Sequence, residues 1–341
     1  MTEKAIFSIR DNKLNNHLSL EAQRPLLEVR DLKKHFTVSG KKGKRTVYAL
    51  NGVSFSVKEG QTFGLVGESG CGKTTAGRVI MGLTDPTAGQ VIFDGVEITT
   101  LSKQELKKTR RNIQMIFQDP LASLDPRMNI GNIISEPLVI YGIGNKKIRR
   151  ETVLDLLEVI GLQPSYYDRF PHELSGGQRQ RIGIARSIVL HPKLIICDEP
   201  VSALDVSIQS QILNILDKLQ VKFGLTYIFI AHALNVVKHI SDFVGVMYLG
   251  KMVEIASVDE LFAKPFHPYT EALISAIPIA NPRSRRERIV LDGDIPSPVC
   301  PPPGCCFHTR CRYCQEICTK EEPPLHDLGD RMVVCHFPLY K

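Results

Sequence analysis

One nine-residue segment constrains the fold of this chain more than any other feature. The segment, GESGCGKTT, starts at Gly67, at the end of the apolar run QTFGLVG, and leads into the helical pattern TTAGRVIMGL. It fits G-x-x-x-x-G-K-[ST], in which backbone N–H groups and a helix N-terminus bind phosphate groups. The alternative is a glycine-rich turn without a ligand, which the strand-then-helix context disfavours. The segment therefore predicts a phosphate-binding loop (P-loop) between a strand and a helix.

Each fixed position of this pattern has a chemical reason. The glycines let backbone N–H groups approach the phosphates, Lys73 is expected to reach the β and γ phosphates, and the Thr74 hydroxyl is expected to bind Mg²⁺. We interpret Cys71 as a small filler. The predicted nucleotide contacts of the segment are Gly67, Glu68, Ser69, Gly70, Cys71, Gly72, Lys73, Thr74 and Thr75.

Polar residues follow three further apolar runs. LIICDEP places Asp198 and Glu199 after a buried strand, where the aspartate is suited to complete a Mg²⁺ site and the glutamate to polarise an attacking water. The alternative is a salt-bridged strand end. His232 follows TYIFIA and Gln118 follows IQMIF, at strand ends where such sheets bind ligands. Beside a P-loop we predict Glu199, His232, Gln118 and Lys73 as catalytic, with Gln118 also a candidate Mg²⁺ ligand.

Strand and helix patterns alternate over most of the chain. LLEVRDL, VYALNGVSFSV and VIFDG are typical of strands, whereas residues 120–175 and QSQILNILDKLQVKF are mostly helical in pattern. This alternation predicts an α/β fold with a largely parallel sheet. Residues 1–25 lack clear periodicity and are interpreted as an extension. After about residue 264 one helical stretch, YTEALISAI, gives way to crowded prolines and cysteines, which indicates a domain boundary.

Composition and charge exclude several classes of protein. A chain of 341 residues that is 43% apolar and 23% charged is expected to fold into roughly two domains. No apolar run reaches about 18 residues, and the charged start MTEKAIFSIRDNK is unlike a signal peptide, so we expect a cytosolic protein. The net charge of +7 is concentrated in residues 1–50, which hold 11 Lys and Arg against 5 Asp and Glu. Because this excess precedes the P-loop, we expect no nucleic-acid groove, and KKGKR at 41–45 is interpreted as a solvated loop, with phospholipid contact the lesser alternative.

The segment LSGGQRQR at 174–181 completes a set of motifs in a fixed order. With the P-loop, Gln118, DEP, SALD at 202–205 and His232, it resembles the ATP-binding-cassette (ABC) ATPases. The resemblance implies two subunits that pair head to tail, with each ATP between the P-loop of one and the signature motif of the other. Glu199 would be the general base, and His232 would hold the γ-phosphate. The further ATP contacts that the resemblance implies are Ser175, Gly176, Gly177 and Gln178 of the signature motif, Asp205, and Tyr48, whose ring would stack on adenine unless it is an ordinary strand aromatic.

A narrower resemblance covers the chain from about residue 26 to its end. IFQDPLASLDPRM, CDEPVSALDVSIQ, GVMYLGK and HPYTEALISAIP are similar to the ATPase subunits of oligopeptide and dipeptide importers, of the second-ATPase type. It implies an ABC-type P-loop ATPase domain at 26–264, with a helical subdomain at about 119–178, and a small irregular, cysteine-rich C-terminal domain at 265–341. It also implies a peripheral location at the cytoplasmic face of the cell membrane. The implied partners are a second homologous ATPase subunit, two membrane permease subunits and an external solute-binding protein.

One residue departs from the pattern of that branch, which has AHDL where this chain has AHAL. Because Ala233 lacks the usual carboxylate, we hypothesise that hydrolysis is retained but slower, or more dependent on the partner's site. Three alternative functions stay open. They are the import of nickel chelates or oligosaccharides, a soluble ABC ATPase without a transport role, and a non-catalytic regulatory module, against which Glu199 and Lys73 argue.

Seven of the nine cysteines fall between Cys300 and Cys335. In a cytosolic protein such a cluster indicates metal or cluster ligands more often than disulfides. GC-x-F-x-x-RC, at Gly304 to Cys311, resembles a C-terminal element of the importer family that holds a [4Fe–4S] cluster in some relatives. The predicted ligands are Cys305, Cys311, Cys318 and Cys335, whose spacing matches neither common ferredoxin pattern. Zinc, or no metal at all, is the alternative.

Overall fold

The computed structural model describes residues 24–40, 43–277 and 288–340. The predicted N-terminal extension lies outside the described residues up to position 23, as do the first two residues of KKGKR. Among the described residues, no helix combines the length and the apolar character needed to cross a membrane.

The central element is an eight-stranded sheet in the order β11-β12-β10-β9-β3-β8-β7-β6, beside a four-stranded antiparallel sheet in the order β2-β1-β4-β5. Five neighbouring strands of the large sheet, β9, β3, β8, β7 and β6, are parallel. The strand bounds are β1 (Leu27–Gly40), β2 (Gly43–Val57), β3 (Thr62–Val66), β4 (Ala88–Phe93), β5 (Val96–Glu97), β6 (Ile113–Ile116), β7 (Leu194–Asp198), β8 (Thr226–Ala231), β9 (Phe243–Tyr248), β10 (Lys251–Ser257), β11 (Leu325–Asp327) and β12 (Met332–Val334).

Helices cover the large sheet, as the alternating pattern predicts, and the α/β fold class is confirmed. Every residue of β7 and β8 is buried, as expected for parallel strands covered on both faces. The helix bounds are α1 (Lys73–Ile80), α2 (Lys103–Arg110), α3 (Pro120–Ser123), α4 (Ile130–Ile140), α5 (Lys146–Val159), α6 (Gly176–Ile188), α7 (Val206–Phe223), α8 (Leu234–Ile240), α9 (Val258–Ala263), α10 (Pro268–Ser275) and α11 (Glu316–Lys320).

Helices α3 to α6 form the helical segment between β6 and β7. Each begins after a side chain that accepts hydrogen bonds from the first-turn backbone: Asp119, Asn129, Asn145 and Ser175. Such caps satisfy N–H groups that have no partner within the helix, and each typically contributes about 1 kcal/mol. The starts of these helices are therefore fixed locally.

Two hydrophobic cores hold the layers together. One packs α1 between the small and the large sheet, with Leu50, Leu65 and Ile80 among its fully buried members. The other lies on the opposite face and continues into the helical segment and the C-terminal region, where it includes Tyr269 and Phe307. The parallel strands end between these cores, so the loops after β3, β6, β7 and β8 meet at one edge of the sheet.

The C-terminal region is mostly irregular, but it is joined to the large sheet. Strand β12 pairs antiparallel with β10, which extends the sheet beyond its parallel part. A buried ion pair between Arg331 and Glu254 joins the same two parts of the chain. The Phe307 ring is buried against the rings of Tyr248 and Tyr269, with centroids 5.2 and 5.3 Å away. The cysteine-rich segment is thus packed on the core that lies on the opposite face of the large sheet from α1.

Candidate active site

The P-loop lies between β3 and α1, where the sequence predicts it. Lys73 is 4% exposed, and its ammonium donates hydrogen bonds to the backbone oxygens of Gly67, at 2.8 Å, and Glu68, at 3.0 Å. Gly72 caps α1 at a φ of 106°, and a Cβ atom there would lie 2.2 Å from the backbone oxygen of Ala49. Only glycine combines that φ with that approach.

The outer part of the loop differs from its base in exposure. Ser69 and Gly70 are exposed, Thr75 is half-buried, and Cys71 is buried with its sulfur 3.7 Å from the Lys73 ammonium. Burial raises the pKa of the Cys71 thiol, with Lys73 opposing the effect. The thiol is therefore neutral near pH 7, consistent with a packing role.

A hydrogen-bonded pair of side chains joins α1 to the end of β7. The Thr74 hydroxyl donates a 2.8 Å hydrogen bond to Oδ1 of Asp198, which is 2% exposed. Burial raises the pKa of Asp198, and the hydrogen bond from Thr74 partly offsets that shift. A hydroxyl and a carboxylate side by side are the oxygen ligands that Mg²⁺ prefers, so the donor set fits this ion.

Three polar side chains from three strand ends meet at one carboxylate oxygen. Oε2 of Glu199 accepts a 2.9 Å hydrogen bond from the Gln118 amide and lies 3.5 Å from Nδ1 of His232. The Glu199 side chain is 16% exposed and that of His232 is 54% exposed, so the group faces solvent on one side. Glu199 also has a φ of 46°, a sparsely populated conformation that re-aims the chain as it leaves β7.

The signature segment is at a different place, at the start of α6. Ser175 and Gly176 are exposed, and the side chains of Ser175 and Gln178 form reciprocal hydrogen bonds with each other's backbone N–H groups. At Gly177 a Cβ atom would lie 2.5 Å from the Ile208 side chain of α7. Glycine there allows α6 and α7 to approach closely, while the helix N-terminus stays open to solvent.

Asp205 and Tyr48 lie outside the P-loop. Asp205 precedes α7 and is exposed, and its side chain makes no capping hydrogen bond. Tyr48 lies in β2, half-buried, with its ring edge-on to His35 at a centroid distance of 4.7 Å. Its backbone N–H donates to the backbone oxygen of Pro298 at 3.0 Å, so the C-terminal region contacts this strand.

The C-terminal region also contacts the P-loop, at a position that no sequence motif predicts. The guanidinium of Arg310 donates two hydrogen bonds, of 2.7 and 3.1 Å, to the two carboxylate oxygens of Glu68. The backbone N–H of Glu68 donates to the Tyr269 hydroxyl at 2.9 Å. The partners are 242 positions apart, and the only signal was the presence of Arg310 in the GC-x-F-x-x-RC element. Glu68 therefore contacts the C-terminal region with both its side chain and its N–H group.

The four predicted cysteine ligands line one cavity. Cys305, Cys311, Cys318 and Cys335 all contribute to its wall, and none of them forms a disulfide. Burial raises the pKa of Cys311 to about 11 and that of Cys335 to about 12, so these thiols are neutral near pH 7. Within the described ranges, no three His, Cys, Asp or Glu side chains are arranged to hold a metal ion. The four thiols share one cavity, and thiolate is the donor type that zinc and iron–sulfur clusters take.

The comparisons with known proteins agree with the fold and the motifs. The ABC transporter family matches residues 50–202, and the C-terminal region of oligopeptide/dipeptide transporters matches residues 253–318. The chain is 53% identical over 321 residues to the oligopeptide transport ATP-binding protein AppF of Bacillus subtilis (strain 168), covering 92% of this chain and 98% of AppF. It is 50% identical over 317 residues to the dipeptide transport ATP-binding protein DppF of Escherichia coli (strain K12), covering 92% of this chain and 94% of DppF.

A solved structure extends this agreement to the fold. The ATP-binding cassette MJ0796, solved as a dimer in a post-hydrolysis state with ADP and phosphate, superposes with a TM-score of 0.62 at 29% identity. The match covers 68% of this chain and 98% of MJ0796. The chain belongs to the ABC transporter family, as an ATP-binding protein of the branch that carries the oligopeptide/dipeptide transporter C-terminal region.

Proposed function

We propose that this chain binds and hydrolyses ATP to power the import of dipeptides or oligopeptides through a membrane ABC transporter. The observation that carries the proposal is the meeting of Gln118 and His232 at the Glu199 carboxylate, next to the Thr74–Asp198 pair. These groups come from four separate segments, and each has the chemistry that ATP hydrolysis requires.

ATP binding uses groups that the chain already holds in place. The phosphates would replace the two backbone oxygens that now accept hydrogen bonds from the Lys73 ammonium, so this buried cation would gain a partner of opposite charge. Thr74, Asp198 and Gln118 would hold a Mg²⁺ ion, which supplies charge neutralisation at the phosphates. Tyr48 is proposed to stack on the adenine ring.

Hydrolysis would require little covalent chemistry from the protein, because phosphoryl transfer depends mainly on positioning and charge. Glu199 would accept a proton from the attacking water, which Gln118 would help to orient. His232 would hold the γ-phosphate. The open side of the Glu199 carboxylate gives the water access.

The exposed signature segment supports a working unit larger than one chain. Ser175, Gly176, Gly177 and Gln178 would bind the ATP held by the P-loop of a second, homologous ATPase subunit, with Asp205 near the contact. Two membrane permease subunits would bind the helical segment, and an external solute-binding protein would deliver peptide. In this assembly the chain would lie peripherally at the cytoplasmic face of the membrane, without nucleic acid as a partner. We also propose 26–264 as the ATPase domain, with the helical subdomain at about 119–178, and 265–341 as the C-terminal domain.

The test is Glu199→Gln in the complex reconstituted in lipid vesicles. Losing the general base should lower ATP turnover and peptide uptake together by about 10³-fold, while ATP binding stays within a few-fold. Glu316→Gln is the matched control, because that side chain is 80% exposed in a surface ion pair. Equal turnover in Glu199→Gln and wild type would contradict the catalytic role. Uptake of nickel chelates or oligosaccharides, but not peptides, would contradict the proposed cargo.

We further propose that Cys305, Cys311, Cys318 and Cys335 hold a [4Fe–4S] cluster, since four thiols line one cavity. Protein purified without oxygen should then be brown, with absorbance near ~400 nm that Cys311→Ser removes. Cys300→Ser is the control, because Cys300 is exposed and is not part of the cavity wall. Colourless protein, with or without stoichiometric zinc, would contradict the cluster.

A further inference from the structure

The ATP site includes a contact that its motifs do not account for. Glu68 is a carboxylate within the phosphate-binding loop, one residue after Gly67. A carboxylate so close to ATP repels the phosphates unless a cation compensates it, because like charges near a protein surface still repel at short range. Lys73 does not do so, since its ammonium contacts backbone oxygens and the Cys71 sulfur.

Arg310 supplies the compensating charge. Its guanidinium pairs with both Glu68 oxygens in the fork geometry that matches a carboxylate. The Arg310 side chain is only 7% exposed and that of Glu68 is 25% exposed. Solvent therefore screens this pair much less than an ordinary surface ion pair.

Local packing fixes the position of Arg310. It ends a short 3₁₀ turn, and its backbone N–H donates to the Phe307 backbone oxygen at 3.0 Å. Phe307 is 1% exposed among the aromatic rings of Tyr248 and Tyr269. The Tyr269 hydroxyl in turn accepts from the Glu68 N–H group. The C-terminal region thus holds Glu68 at two points, the side-chain carboxylate and the backbone N–H group.

We propose that Arg310 is a positioning residue for ATP: it neutralises and orients Glu68, so that the C-terminal region sets the affinity of the P-loop for phosphates. This inference rests on the proposed function of the same site. It makes the cysteine-rich region a part of the ATP site within one chain, and whatever loosens that region would weaken ATP binding.

The experiment measures dissociation constants of the full chain for ATP, ADP and adenosine at two salt concentrations. Arg310→Gln leaves Glu68 uncompensated, so ATP affinity should fall about 10-fold, ADP affinity less, and adenosine affinity not at all. Adding Glu68→Gln to Arg310→Gln should restore ATP affinity to within about 3-fold of wild type. Arg312→Gln is the matched control, because Arg312 is exposed two positions away, and it should change none of these values.

Other outcomes would overturn the inference. Equal losses for ATP and adenosine, or a loss that Glu68→Gln does not relieve, would indicate general support of the fold only. If Arg310→Gln does not fold, Arg310→Lys is the substitute, because lysine keeps the charge but cannot pair with both carboxylate oxygens as arginine does. Arg310→Lys should then bind ATP about 2–5-fold more weakly than wild type. In a chain that also carries Glu68→Gln, Arg310→Lys should cause no such loss. Wild-type protein that binds no ATP would instead contradict the proposed function itself.

Discussion

The P-loop and the signature segment both lie at a helix N-terminus, yet they differ in burial and in partners. Around the P-loop, Lys73 and Asp198 are buried, and both are hydrogen-bonded within the chain. At the signature, Ser175 and Gly176 are exposed, and the hydrogen bonds of Ser175 stay within its own helix start. The difference is what our proposal expects of a chain that holds one ATP at its own P-loop and offers its signature segment to the ATP of a second subunit.

The largest expected effect is at the P-loop. Gly72→Ala puts a Cβ atom 2.2 Å from a backbone oxygen, at a φ of 106°. We expect a loss of about 3 kcal/mol or more in the free energy of unfolding, together with the loss of ATP binding by the isolated chain. Urea denaturation and nucleotide titration measure the two effects.

The control for this prediction is Gly142→Ala. Gly142 also has a positive φ, of 65°, but a Cβ atom there would meet nothing within 4 Å. It should cost only about 1 kcal/mol and leave ATP binding intact. Similar losses of stability and of ATP binding at both positions would mean that the close backbone contact at Gly72 does not cause the larger effect.

A smaller effect, visible only in the assembled complex, is expected at the signature. In Gly177→Ala the new Cβ atom would lie 2.5 Å from the Ile208 side chain, which has to move. ATP binding by the isolated chain should not change, whereas turnover by the complex should fall about 10-fold through the displaced helix start. Gly183→Ala in the same helix is the control, because a Cβ atom there would meet nothing within 4 Å. It should stabilise the chain by about 0.5–1 kcal/mol and leave turnover by the complex unchanged. Weaker ATP binding by isolated Gly177→Ala would contradict the separation of the two half-sites.

Replacing Asp198 is expected to change ATP binding and the stability of the chain in opposite directions. Burial raises the pKa of Asp198 in the folded chain above that in the unfolded chain, so the ionised carboxylate costs stability at neutral pH. Asp198→Asn should therefore raise the free energy of unfolding by about 1 kcal/mol at pH 7, and this gain should vanish as the pH falls below about 4. Mg²⁺-dependent ATP binding should be lost. Unfolding measured from pH 4 to 8 tests the sign, and a gain that grows at low pH would contradict it.

The smallest effect is expected at Ala233, where the sequence has AHAL instead of the AHDL pattern of the importer ATPases. Ala233 caps α8 without any side-chain hydrogen bond. Ala233→Asp should stabilise the chain by about 1 kcal/mol through a new cap and should raise turnover in the complex. Ala233→Ser separates the causes, since serine caps the helix without adding a charge. An unchanged turnover in both variants would remove the hypothesis that Ala233 slows hydrolysis.

Local sequence patterns predicted most of the strands and helices, and they placed the P-loop between a strand and a helix. The apolar runs of β7 and β8 predicted buried strands of a largely parallel sheet, and the strand ends predicted that Gln118, Glu199 and His232 would lie at its ligand-binding edge. The contact between Arg310 and Glu68 was not predictable, because nothing in either local sequence specifies a partner 242 positions away. The pairing of β12 with β10 is long-range in the same way, since three-residue strands carry little periodicity. Side-chain pairs between distant segments depend on tertiary packing, which a local pattern does not contain.

We expect this chain to complete ATP binding alone but to complete hydrolysis only with a partner. Comparing the ATP affinity and ATP turnover of the isolated chain with those of the assembled complex tests this directly. We predict dissociation constants for ATP within a few-fold of each other, and turnover at least about 100-fold higher in the complex. An isolated chain that hydrolyses ATP at the rate of the complex would contradict the account.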